Sequence, residues 1–329
     1  MPELRKDPVL GRWVIISTER SRRPSDFRRP AHQPVTGHNQ PCPFCPGNEH
    51  LTPPEIMRRP ESGQWSVRVV PNRFPALTPE GQPVRQGVGV YDKMTGIGAH
   101  EVIIETPDHC LSLADVEPGH FSEVIWTFHD RHVALSADPR LRYVLVFKNH
   151  GAGAGASLAH SHSQLIAMPV VPVLVKSELE GAAQYFRFRN RCVYCDMLKQ
   201  ELQETVRLVF ENDSFVVFQP FAPRFPFETW VVSRRHLGSF ATMDAAHVTD
   251  LALALKDILG RMNRGLSGPD FNFVVHSAPL TEPDPEYYHF HIELMPKLTT
   301  IAGFEVGTGF YINPVPPEDA ACFLRQQSG

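Results

Sequence analysis

One unit occurs twice along this 329-residue chain, and that duplication limits the possible folds more than any other feature of the sequence. Each copy opens on a Cys-x-x-Cys pair, Cys42/Cys45 in the first half and Cys192/Cys195 in the second. A strand-like apolar run follows, over 100–105 and 227–232, and leads to a single histidine, His109 or His236. A helix-like segment comes next, at about 118–136 and 244–265, and then a second strand at 143–147 and 271–275. Each copy closes on a His-x-His strand that stops at Met-Pro: His160/His162 before Met168-Pro169, and His289/His291 before Met295-Pro296. The distance from His109 to His160 is 51 residues, and from His236 to His289 it is 53. The shared order and spacing predict an α+β fold of tandem repeats, each an antiparallel sheet with one main helix. The expected division is residues 1–185 and 186–329, with the seam near 181–191.

Composition narrows the function classes. A net charge of −4 and a pI of about 6.5 leave no global basic field for nucleic acid or an anionic membrane. The chain contains no apolar run of about 18 residues, so no membrane span is expected. Its first residues, Met-Pro-Glu-Leu-Arg-Lys-Asp, lack the apolar stretch of a signal peptide, which makes the cytoplasm the expected location. In a reducing compartment the six cysteines read as metal ligands or free thiols rather than disulfides.

The repeat proposes two metal sites. Zinc prefers four nitrogen or sulfur ligands in a tetrahedron, and a Cys-x-x-Cys turn supplies two of them. Site one is Cys42, Cys45, His109 and His160, and site two is Cys192, Cys195, His236 and His289. Four protein ligands close each site, so two structural Zn²⁺ ions per chain are expected. Buried free thiols or a dithiol redox pair are the alternatives, although no thioredoxin-like pattern surrounds either pair.

In the first repeat zinc claims His160 and leaves His162 free. Side chains alternate along a strand, so His160, His162 and Gln164 share one face. A neutral imidazole is available near neutral pH, and it can attack phosphorus and hold the product covalently. Gln164 can donate to phosphoryl oxygens without adding charge. Gly151, Gly153 and Gly155 let backbone N–H groups approach phosphates, and Ser157 and Ser161 add hydroxyl donors. The alternative is a pair of hydrogen-bonded histidines at a strand mouth. In the second repeat Glu293 stands where Gln164 does, and an anion there predicts that His291 has lost the chemistry. Near the start, Arg20, Arg22 and Arg23 form a basic cluster suited to phosphate, or else a solvated surface.

These motifs resemble the galactose-1-phosphate uridylyltransferases, the nucleotide-transferring branch of the histidine triad superfamily. The likeness rests on Cys42/Cys45, Pro107-Asp108-His109 and residues 149–164, and extends to Trp13-Val14-Ile15, Arg20 to Pro24, Asn72-Arg73-Phe74 and Gly303-Phe304-Glu305. It covers nearly the whole chain. It implies a ping-pong reaction in which a nucleotide sugar leaves its nucleoside monophosphate on a histidine and a second hexose 1-phosphate collects it. By position His162 resembles the nucleophile, and Asn149, Ser157 and Gln164 the phosphate contacts. Asn72 and Phe74 resemble nucleotide-pocket residues, and Arg20 and Arg23 the arginines near the sugar phosphate. The resemblance also implies a homodimer with residues crossing between subunits.

Three departures from the common pattern are visible. The strand reads His-Ser-His-Ser-Gln where His-Pro-His-Gly-Gln is usual. The second half carries a Cys-x-x-Cys, where many relatives use a glutamate–histidine iron site. Glu178, His276, His289 and His291 match that iron site too, but His289 is expected to serve the cysteine site. After Phe304 and Glu305, Tyr311 stands where a hexose-holding glutamine is usual. This tail and the serine variant resemble plant ADP-glucose phosphorylase, which passes AMP to inorganic phosphate. The main reading is UDP-glucose:hexose-1-phosphate uridylyl transfer. Adenylyl transfer to phosphate, histidine-triad hydrolysis of a nucleotide, and a zinc-stabilised binding module without turnover are the alternatives.

Overall fold

Both repeats form, and they share a single sheet. The computed structural model describes residues 1–17, Phe27 and residues 41–328. Strands β1 (Glu3–Lys6) and β2 (Trp13–Ile16) precede the first repeat. That repeat contains β3 (Met57–Arg59), β4 (Val67–Pro71), an outlying hairpin of β5 (Arg85–Val88) and β6 (Tyr91–Met94), and β7 (Ala99–Ile104). Helix α1 (Pro118–Ser136), β8 (Tyr143–His150) and β9 (His162–Met168) complete it. Helices α2 (Val173–Arg189) and α3 (Val193–Glu204) lead to β10 (Leu208–Glu211), β11 (Phe215–Phe218) and β12 (Thr229–Ser233). Helix α4 (Ala245–Leu266), β13 (Phe271–His276) and β14 (His291–Pro296) close the second repeat. Helix α5 (Gly303–Thr308), β15 (Tyr311–Asn313) and α6 (Pro317–Arg325) follow.

The strand order of the main sheet is β10-β11-β12-β14-β13-β8-β9-β7-β4-β3. Read outward from the centre, the two halves follow the same plan in opposite directions. They meet where β8 and β13 pair antiparallel, with Asn149 opposite Asn272. The expected antiparallel sheets and main helices are therefore present, joined edge to edge. This removes an exposed edge from each half-sheet. Residues 181–189, inside the expected seam, are helical as part of α2. The N-terminal segment crosses this helix at Gly181, where a Cβ would lie 1.9 Å from the Val9 carbonyl oxygen.

Strand alternation sorts the two faces of the sheet. Ile103, Val144, Val146, Leu165 and Ala167 point to one face, where α1 and α4 pack together. Both helices earn that position by spacing: Phe121, Val124, Ile125 and Phe128 form one apolar stripe, and Val248, Leu251, Leu255, Ile258 and Met262 another. Pro118 at the first turn starts α1, and the Asp244 side chain accepts from the His247 N–H to cap α4. On the opposite face Val102 and Ile104 pack with Phe44 and Trp65, and Trp230 and Val232 pack with Tyr194 of α3. That second face carries both Cys-x-x-Cys turns. Among the described residues no helix is long and apolar enough to cross a membrane.

The helical face also holds His132 of α1, which is 1% exposed, with its Nε2 unpartnered among the described residues. Burial, helped by the charge of His129, pulls its pKa down to about 4. The unfolded chain would bind this proton near the ordinary histidine pKa, so stability is complete above about 6.5 and falls as the pH drops through that value. The loss approaches about 1.4 kcal/mol per pH unit and levels off below the folded pKa. His132→Leu is expected to flatten the pH dependence of the urea midpoint between pH 6.5 and 4. An unchanged slope in the variant would refute this assignment.

Candidate active site

His162 begins β9, which lies between β8 and β7 in the first half-sheet, and is 6% exposed. Its Nδ1 lies 2.8 Å from the His160 carbonyl oxygen. A carbonyl can only accept, so Nδ1 carries the proton and Nε2 keeps its lone pair. Burial holds the ring below its ordinary pKa, and the charge of Lys148 acts in the same direction. The imidazole is therefore neutral. The Phe44 ring packs edge-on to it, with centroids 5.3 Å apart, and limits its rotation.

His162 and Gln164 form the floor of a cavity of about 470 Å³. Pro43, Phe44, Leu51, Pro53 and Val70 form apolar walls, and Asn72, Phe74 and Ser157 also line it. Phe74 is 83% exposed and stands at the rim. The shape suits a flat apolar base beside a polar phosphate end.

One wall of the cavity is the Cys42–Cys45 turn, and its geometry fits a metal. Cys42, Cys45, His109 and His160 place one ligand atom each within 4.8 Å of the others. A tetrahedral zinc with ordinary Zn–S and Zn–N bonds requires sulfur–nitrogen separations of about 3.6 Å. The observed values are 3.6 Å for Cys42 Sγ to His160 Nδ1, 3.7 Å for Cys45 Sγ to His160 Nδ1 and 3.4 Å for Cys45 Sγ to His109 Nδ1. His160 Nε2 donates to the Thr106 carbonyl at 2.7 Å, which frees Nδ1 to ligate. The second group repeats the design. Cys195 Sγ lies 3.4 Å from His236 Nδ1 and 3.6 Å from His289 Nδ1, and His289 Nε2 lies 2.7 Å from Ser233 Oγ. A hydrogen bond from Cys192 and others from the two histidines hold Cys195 down to about 3, so one thiolate is already favoured.

A third group, Glu178, His276 and His291, is separate from both, and His289 takes no part in it. The cysteine site and the remainder of the glutamate–histidine set therefore coexist. Burial would lower the His276 pKa, but Glu178 at 3.1 Å and Glu293 at 3.4 Å outweigh it and push it to about 10. Glu293 also pairs with Arg224. The anion expected to disable the second repeat is thus neutralised. His291 is instead blocked by packing: it is 1% exposed and stacks on Tyr194, Trp230 and His276 with centroids 5.0, 5.0 and 4.7 Å away.

Other sequence-singled residues lie off the cavity. Ser161 is buried on the helical face, where its hydroxyl donates to Glu105 at 2.6 Å. Asn149 Oδ1 accepts from Asn272 at 2.8 Å. The glycine loop packs on the second repeat: Gly151 has φ +80°, a Cβ there would lie 1.8 Å from Asp270 Oδ1, and the Gly153 N–H donates to Asp270 at 2.6 Å. The N–H groups of Ala154, Gly155 and Ala156 bond back within the loop. Phe304 and Glu305 lie in α5, where the Glu305 carboxylate accepts from the Ala302 N–H. Tyr311 sits in the side sheet β1-β2-β15, edge-on to Phe225. Arg20 and Arg23 fall outside the described residues.

Three residues without a sequence-assigned role stand behind the site. Lys148 Nζ donates to Glu105 at 2.5 Å, to Ser161 Oγ at 3.1 Å and to the His162 carbonyl at 3.0 Å. Burial would raise the Glu105 pKa, but Lys148, Ser161 and Ser163 outweigh it and keep the carboxylate charged. His100 bonds Gln164 Oε1 at 2.8 Å. A lysine directly after the apolar run 143–147 was the available signal, since a charge carried on by such a strand needs a buried partner.

Residues 1–172 match the N-terminal domain of galactose-1-phosphate uridyl transferase, and residues 178–321 match its C-terminal domain. The ADP-glucose phosphorylase of Arabidopsis thaliana is 38% identical over 332 residues, covering 99% of this chain and 93% of that protein. The galactose-1-phosphate uridylyltransferase of Thermotoga maritima is 30% identical over 336 residues, covering 99% and 98%. A crystal structure of an Arabidopsis thaliana ADP-glucose phosphorylase with bound ADP-glucose superposes with a TM-score of 0.84 at 35% identity, over 99% of this chain and 98% of that one. A uridylyltransferase structure gives 0.77 at 29% identity, over 99% and 98%. Fold and relatives together define a nucleotidyltransferase. The chain belongs to the galactose-1-phosphate uridyl transferase family.

Proposed function

We propose that this chain moves a nucleoside monophosphate from a nucleotide sugar to a phosphate acceptor through a covalent intermediate on His162, with ADP-glucose as donor and inorganic phosphate as acceptor. The observation that carries the mechanism is the free Nε2 of His162 at the floor of the cavity. Its lone pair attacks the α-phosphorus, a P–N bond forms, and the bond to the bridging oxygen breaks to release glucose 1-phosphate. The proton stays on Nδ1, and its hydrogen bond to the His160 carbonyl eases the positive charge on the ring. An oxygen of the acceptor then attacks the same phosphorus, the P–N bond breaks, and the neutral imidazole returns. Gln164 donates to the phosphoryl oxygens, Ser157 adds a hydroxyl, and Asn72 and Phe74 border the base.

The adenine reading is supported by the identity to the Arabidopsis enzyme and by the serines of the His-Ser-His-Ser-Gln strand. Uridylyl transfer from UDP-glucose to galactose 1-phosphate is the second reading, favoured by the Thermotoga relative and the family match. Incubation with ADP-glucose or UDP-glucose separately, followed by intact-mass measurement, decides the donor: the added mass is AMP or UMP. Discharge by phosphate or by galactose 1-phosphate decides the acceptor. If neither nucleotide sugar adds mass, the covalent mechanism is wrong.

Zinc is the proposed metal at both cysteine groups. At the first, Cys42, Cys45, His109 and His160 would hold it, and it would supply a crosslink between the cavity wall and the catalytic strand. Metal analysis is expected to find two zinc ions per chain. Cys42→Ser is expected to lose one of them and to lower the thermal midpoint, whereas an unchanged count would refute the site. The division at residue 185, a cytoplasmic location and a homodimer belong to the same reading.

A further inference from the structure

We propose that His100 is a positioning residue that locks the Gln164 carboxamide with its NH₂ group toward the reacting phosphate. The assignment follows from two main-chain donors. The Ala76 N–H donates to His100 Nδ1 at 3.1 Å, and a backbone N–H cannot accept. Nδ1 is therefore unprotonated, and the ring proton sits on Nε2. That Nε2 lies 2.8 Å from Gln164 Oε1 and donates to it. The Phe74 N–H donates to Asn72 Oδ1 at 2.9 Å, so the Asn72 Nδ2 end is also fixed; it lies 3.1 Å from His100 Nε2, a fellow donor to which it cannot bond, and 3.4 Å from the same Gln164 Oε1, which accepts from both.

Two donors thus converge on the carbonyl end of Gln164. Among the described residues its Nε2 makes no hydrogen bond, while the side chain lines the cavity beside His162. An amide free to turn over would present its oxygen to an anionic phosphoryl group about as often as its NH₂, and the repulsion would cost rate. The turn at 72–76 and His100 remove that freedom before substrate arrives, and preorganised donors cost nothing at the moment of reaction. Sheet register explains the reach. Gln164 sits opposite Val102, which places His100 diagonally beside it on the same face.

The inference rests on the proposed roles of His162 and Gln164, so the experiment reads the first half-reaction: the rate of nucleotidyl-enzyme formation from ADP-glucose or UDP-glucose by rapid quench, in full-length, metal-loaded protein. H100L is expected to slow it about 10- to 100-fold with little change in KM, the pattern of an interaction realised in the transition state. In a Q164A background H100L is expected to add less than about twofold, because His100 acts through the missing amide. Two conservative variants guard against misfolding. H100Q keeps a donor at the Nε2 position and is expected to retain activity within about fivefold, whereas H100N keeps only the acceptor for the Ala76 N–H and is expected to behave like H100L. Equal rates in H100L and wild type, full additivity in the Q164A background, or an active H100N with an inactive H100Q would each overturn the proposal. Wild-type protein that forms no nucleotidyl adduct would instead count against the function proposed above.

Discussion

His162→Ala is expected to abolish covalent nucleotide labelling and to lower turnover by on the order of 10⁴-fold or more, because under the proposed mechanism the reaction loses its nucleophile rather than a contact. Three features make the experiment clean. His162 is not among the residues that could ligate the metal, so metal content should match wild type. Among the described residues its ring makes one hydrogen bond, to the His160 carbonyl, while the bond from Lys148 goes to the His162 main-chain carbonyl, which alanine keeps. The ring borders a cavity, so truncation enlarges existing space instead of opening a void in the core. Thermal midpoint and metal content should therefore stay near wild type while labelling disappears. His160→Ala is the contrast: it removes a ligand and the bond to Thr106, and it should lose metal and stability together. If His162→Ala keeps near-normal turnover, the ping-pong mechanism fails whichever base the enzyme prefers.

That His160 joins Cys42, Cys45 and His109 while His162 stays outside the group was readable from the sequence, because a repeat supplies its own control. Cysteine pairs, lone histidines and His-x-His strands recur at matching spacing, so ligand sets could be assigned by parallel. The pairing of half-sheets through β8 and β13 was not readable, since non-local register leaves no periodic trace. Its local contacts were equally out of reach. Asn149 and the glycine loop meet the second repeat at β13 and the residue before it: Asn272 donates to Asn149 Oδ1, and Asp270 accepts from the Gly153 N–H. His291 illustrates the same limit. Glu293 reads as an uncompensated anion until Arg224, 69 residues upstream, is seen beside it. Alternation did foretell that His162 and Gln164 share a face. Applied one residue further, it also places Ser161 and Ser163 on the opposite face, away from substrate.

Those two serines lead to the second large effect. Lys148→Met is expected to destabilise the protein by about 3–5 kcal/mol, the cost of leaving one member of a buried ion pair uncompensated. Glu105 is fully buried, and it receives Lys148 and Ser161 on one oxygen and Ser163 on the other. Without the ammonium that carboxylate has only hydroxyl donors, and burial drives it toward the protonated form. Methionine matches the lysine stem in length, so the loss reflects charge and hydrogen bonding more than packing. Lys148→Met/Glu105→Leu is expected to recover most of the stability, because replacing both partners leaves no charge stranded. It should not recover full transfer rate, since the His162 carbonyl still lacks its Lys148 donor and the serines beneath the catalytic strand lack an acceptor. The His-Ser-His-Ser-Gln strand thus has a physical counterpart: its serines are the hydroxyl donors that Glu105 requires, where proline and glycine at the same places would offer none. Urea midpoints of the single and double variants, set beside their nucleotidyl-transfer rates, separate the two roles. A single variant within about 1 kcal/mol of wild type would show that the pair contributes less than its burial and geometry indicate.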